Sequence, residues 1–85
     1  MCTYVTEQVP VVGAGKGPGA WIRVSRATVS YDHPVVASAE HTLNIDFADP
    51  SAGPSARVAV ELDKASALAL VEAIQHALAS VPEGL

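Results

Sequence analysis

In residues 41–47 and again in 57–62 apolar and polar side chains alternate, and from Asp63 onward the apolar residues recur every third or fourth position. A chain with those two periods in succession must pass from strands to a helix at one boundary. In HTLNIDF (41–47), Leu43, Ile45 and Phe47 alternate with Thr42, Asn44 and Asp46; in residues 57–62, Val58, Val60 and Leu62 alternate with Arg57, Ala59 and Glu61. The segment between them, Asp49-Pro50-Ser51-Ala52-Gly53-Pro54-Ser55, is dense in turn formers, so the two strands form a hairpin. Beyond it, Ala67, Leu70, Val71, Ile74, Ala77, Leu78 and Val81 make one helical stripe, with Lys64, Glu72, Gln75, His76 and Ser80 mostly opposite. Asp63 is a suitable N-cap, and Pro82 and Gly84 end the helix.

The first half of the chain reads as two further strands. Residues 2–12 are rich in Thr, Tyr and Val, and Pro10, which has no amide hydrogen to donate, places that strand at a sheet margin. Residues 13–20 (GAGKGPGA) read as a flexible loop. In residues 21–33, Ile22 and Val24 have one parity while Ala27, Val29 and Tyr31 have the other, which predicts a β-bulge near Ser25 and Arg26. Residues 34–40 form a connection.

The order is therefore β-β-β-β-α, an α+β fold in which a four-stranded antiparallel sheet carries one C-terminal helix on one face. Its 85 residues make one domain spanning 1–85, since a separate core needs roughly 50 residues. With 49% hydrophobic and 16% charged residues the chain is expected to fold rather than stay disordered. One register of the second and third strands sorts the faces: Val29 opposite Ile45, Tyr31 opposite Leu43 and Ala27 opposite Phe47 on one side. Thr28 with Asp46, Ser30 with Asn44 and Asp32 with Thr42 then share the other. A slip of one residue would mix the two sets.

Composition narrows the function classes. A net charge of −4 offers no basic stripe for phosphate, so nucleic acid is not an expected partner. No apolar run reaches the roughly 18 residues of a membrane span, and the opening MCTY has neither the basic start nor the apolar stretch of a signal peptide, so a soluble, cytoplasmic protein is expected. A single cysteine cannot form an internal disulfide.

A single helix covers one face of a sheet and leaves the other in water. The polar set, Thr28, Ser30, Asp32, Thr42, Asn44, Asp46, Arg57 and Glu61, is either a solvated surface or a self-association surface. Val11, Val12, Trp21, Ile22, Val35 and Val36 do not all fit under one helix, which favours a homo-oligomer formed through the sheet or an edge strand, with Trp21 as a contact anchor. The leading expectation is a non-enzymatic interaction domain.

The same register brings His33 and His41 directly opposite one another at the mouth of the connection, close enough for two imidazoles to share a metal ion. Cys2 can add a thiolate, and Asp32 or Glu40 a carboxylate; sulfur with imidazole suits zinc or copper. The spacing matches no established metal signature, and the reading preferred to a metal site makes His33 and His41 hydrogen-bonded residues at a strand end. A nucleophilic set of Cys2, His41 and Asp32 lacks any sequence evidence of an oxyanion hole. The segment GAGKGPG lacks the order of a phosphate loop and leads into a strand, and His76 four residues after Glu72 reads as a solvated helix pair.

The opening MCTY, the segment YDHP and the strand HTLNIDF resemble a family of short, uncharacterised actinobacterial proteins, over nearly the whole chain. The resemblance implies no established activity and no functional residues.

Overall fold

The computed structural model describes residues 5–85. Four strands, β1 (Val5–Lys16), β2 (Trp21–Asp32), β3 (Thr42–Ala48) and β4 (Arg57–Leu62), form an antiparallel sheet in the order β1-β2-β3-β4, and one helix, α1 (Lys64–Ala79), follows. This is the α+β class and element order expected from the two periodicities. The β2–β3 register also agrees with the sorting of faces, with Val29 opposite Ile45, Tyr31 opposite Leu43 and Asp32 opposite Thr42.

Two features of the first hairpin differ from expectation. β1 continues through the glycine segment to Lys16, leaving a turn only at residues 17–20, where the Gly17 amide donates to the Ala20 carbonyl at 2.9 Å. Glycine serves here as close-approach backbone rather than as loop: a Cβ on Gly15 would stand 3.2 Å from Val58 Cγ2 and 3.4 Å from Val24 Cγ1. The register of β1 against β2 shifts between Pro10 and Gly13, so Val11 and Val12 lie opposite the single residue Ser25. The irregularity falls where β2 changes parity, but the additional residue belongs to β1. Buried Val24 and Ala27 are three positions apart, which records the exchange of faces along β2. A bulge increases local twist, and the second half of β1 accordingly curls toward β4, where Gly15 meets Val58.

The curled end of the sheet holds much of the small core. Val24, Ala27 and Ala56 are the buried apolar residues among those described, and Thr42 is wholly enclosed, with its hydroxyl donating to Asn44 Oδ1 at 2.6 Å.

The helix begins as expected. Asp63 Oδ1 accepts from the Ser66 amide at 2.7 Å, and at the other end the Ser80 amide donates to the carbonyls of His76 and Ala77. Its seating on the sheet is loose: α1 lies against the apolar face, chiefly near β3, and none of its residues is buried. Ala67, Leu70, Val71 and Ile74 look across an open cleft of about 550 Å³ at Val5, Val29, Tyr31, Leu43, Ile45 and Leu62. The radius of gyration, 14.4 Å, exceeds the roughly 12 Å of a compact chain this long. No described helix is long and apolar enough to cross a membrane.

Candidate functional site

Chemistry-bearing side chains gather where β2 and β3 diverge into the connection at residues 33–41. Tyr31 on β2 and the two histidines just beyond the paired residues make a short ladder of rings. His41 lies between the others, 6.0 Å from Tyr31 and 4.6 Å from His33 by ring centroids, with planes 22° and 23° from parallel. The antiparallel register produces this meeting, because Asp32 opposite Thr42 is the last β2–β3 pair and the next residues outward are His33 and His41.

The hydrogen bonds of His33 define its chemistry. Its Nδ1 lies 3.0 Å from the Glu40 carbonyl oxygen. A carbonyl can only accept, so this bond places the proton on Nδ1 and leaves Nε2 as the lone-pair nitrogen of the neutral ring. Metal-binding histidines characteristically make the same outer bond. The Asp32 carboxylate is used locally, accepting from the His33 amide at 2.7 Å.

The two rings are 4.6 Å apart by centroids and only 23° from parallel. A shared ion must lie in the plane of each ring at about 2.0–2.1 Å from nitrogen, so the rings must swing apart from the stack before both can reach one ion. Of the other expected ligands, Cys2 lies outside the described residues, and those described contain no group of three His, Cys, Asp or Glu side chains that could hold a metal.

On the polar face of the sheet, residues 35–37 fold back over a cleft of about 740 Å³ lined by Thr28, Ser30, Asn44, Asp46, Arg57 and Glu61 among others. Glu61 of β4 holds the loop in place: Oε2 accepts from the Val35 amide at 2.5 Å, and Oε1 accepts from the Val36 and Ala37 amides, each at 2.9 Å. These bonds, from Val35, Ala37 and Val36 in order of weight, hold the Glu61 carboxyl below the ordinary glutamate range. The sequence marks Glu61 only as an outward residue of an alternating strand, because its partners come from a loop more than twenty positions away. Nearby, Arg57 pairs with Asp46 through two nitrogens, Nε to Oδ1 at 3.1 Å and Nη2 to Oδ2 at 2.5 Å. The polar face is thus partly roofed and internally paired.

The remaining apolar candidates divide among several places. Trp21 is exposed at the β1–β2 turn, Val12 projects from the bulge, and Val35 and Val36 sit on the roofing loop. A further apolar surface, which the strand pattern does not single out, is the cleft between α1 and the sheet.

A family model described as a family of unknown function, DUF6295, matches residues 1–85, and the chain belongs to that family. No curated protein and no solved structure matches the chain.

Proposed function

We propose that this member of DUF6295 is a non-enzymatic interaction domain that self-associates. The observation that carries the reading is the mismatch between apolar content and burial. Nearly half of the residues are hydrophobic, yet α1 has no buried residue and Leu68, Ile74 and Leu78 are 58%, 51% and 69% exposed. A chain this short has little stability to spare, since native domains are held by only about 5–15 kcal/mol, and apolar surface left in water contributes nothing to that margin. Sharing the surface between copies supplies the missing burial, and two-fold dimers are the commonest assembly. The test is thermal melting at several protein concentrations: a self-associating fold melts higher as concentration rises, whereas a midpoint independent of concentration contradicts the reading.

A second reading is favoured by the His33–His41 juxtaposition together with the bond from His33 Nδ1 to a carbonyl. In it the pair binds zinc or copper, with Cys2 as a further ligand. Elemental analysis of untagged protein tests this. Stoichiometric metal that is lost in His33→Ala and in His41→Ala supports it, and metal-free wild-type protein removes it.

A further inference from the structure

Among the described residues, the surfaces on which copies could meet differ in how far they are protected. The β1 edge contains Pro10, which has no amide hydrogen, and the register shift at Val11 and Val12, both of which discourage strand addition. The β4 edge is only six residues long. The polar face is partly covered by the loop that Glu61 pins through three amides. Two apolar surfaces remain open, a groove of about 380 Å³ between Val12 at the bulge and Val58, and the roomier cleft of about 550 Å³ under α1, with Lys64 as the one charged residue among those lining the latter.

We infer that the cleft under α1 is the association surface and that its occupant is the C-terminal half of α1 from a second copy, seated reciprocally about a two-fold axis. The inference rests on the self-association proposed above and assigns its surface. The apolar stripe of α1 lines its own cleft as far as Ile74 and continues to Leu78, with Val81 just past the end of the helix; these two residues do not line that cleft and are 69% and 47% exposed. One chain thus carries both an apolar cleft with room for several large side chains and an overhanging apolar helix end to fill it. Such a pair is self-complementary under a two-fold, as an isologous interface requires. The apolar surface to be covered is extended: Leu68, Leu70, Val71, Ile74, Leu78 and Val81 are each 41–69% exposed, and a standard interface of ~800 Å² per partner would take up those parts together with the sheet residues facing them. The lining is nearly without charge, which suits a copy of the same apolar helix better than a charged peptide.

Native mass spectrometry of wild type, Leu78→Asp and Val12→Asp, together with isotope-filtered NMR on a mixed labelled and unlabelled sample, tests this. The expected result is a wild-type dimer, a dimer for Val12→Asp, a loss of at least tenfold in dimer affinity for Leu78→Asp, and intermolecular contacts from Leu78 methyls to Leu43 or Val29. The NMR arm uses unmutated protein, so it stands even if Leu78→Asp does not fold. A wild-type dimer without those contacts, or one broken by Val12→Asp and not by Leu78→Asp, overturns the assigned surface while leaving self-association intact. A strict wild-type monomer, with or without a bound apolar small molecule, overturns both.

Discussion

The imidazoles of His33 and His41 stack with centroids 4.6 Å apart and planes 23° from parallel, one on each side of the segment that joins β2 to β3. Pairs of the larger aromatic side chains contribute about 0.5–1.5 kcal/mol beyond the area they bury, which is an upper range for the smaller imidazoles. A double-mutant cycle with His33→Ala and His41→Ala, followed by chemical denaturation, should therefore give a coupling near the lower end of that range. Added zinc that binds through both rings must unstack them, and the shift of their aromatic NMR signals reports it. A coupling indistinguishable from zero shows that the stack has no energetic role.

Glu61 holds the loop through charge, so its effect depends on pH in a definite direction. Its folded-state pKa lies below the ordinary value because Val35, Ala37 and Val36 donate to the carboxylate. The stabilisation is then fully present above the unfolded-state pKa and is lost as pH falls through the folded one. Carboxyl ¹³C titration should place Glu61 below the ordinary glutamate range. Glu61→Gln should increase hydrogen exchange at the Val35, Val36 and Ala37 amides at neutral pH, and unchanged exchange there contradicts the loop assignment.

Gly15 separates a packing role from a turn role. Because an added Cβ would stand 3.2 Å from Val58 Cγ2 and 3.4 Å from Val24 Cγ1, Gly15→Ala obliges these side chains to give by a few tenths of an ångström and should lower the melting temperature. Gly19→Ala, where nothing lies within 4 Å, should change little. Equal melting temperatures for the two variants would remove the close-approach explanation.

Asp63 accepts from the Ser66 amide, and that bond, with one from the Ser66 side chain, lowers its carboxyl pKa. Asp63→Ala should lower both the melting temperature and the helical circular dichroism signal. Asp63→Asn, which retains a side-chain acceptor, should recover most of the loss.

The features legible in the sequence are those set by local chemistry or by the sorting of whole faces. The β2–β3 register follows from keeping Val29, Tyr31 and Ala27 opposite Ile45, Leu43 and Phe47, and the meeting of His33 and His41 follows from that register. Asp63 announces the helix start because capping is a local property. The rest depends on distant neighbours. Gly15 resembles a loop residue until Val24 and Val58 are seen beside it. The parity change at Ser25 and Arg26 is visible in β2, but Val11 and Val12 are ordinary strand residues and do not reveal that the extra position lies between them. Glu61 gives no local sign that residues 35–37 fold back onto it. Periodicity shows which face of α1 is apolar, and it says nothing about how closely that face approaches the sheet.

The central claim is that the apolar surface around α1 is shared between copies of the chain. Sedimentation equilibrium of the untagged protein from nanomolar to high micromolar concentration tests it most directly. The account predicts a reversible monomer–dimer curve that reaches twice the chain mass within that range. A single species of 8.7 kDa at every concentration would contradict it.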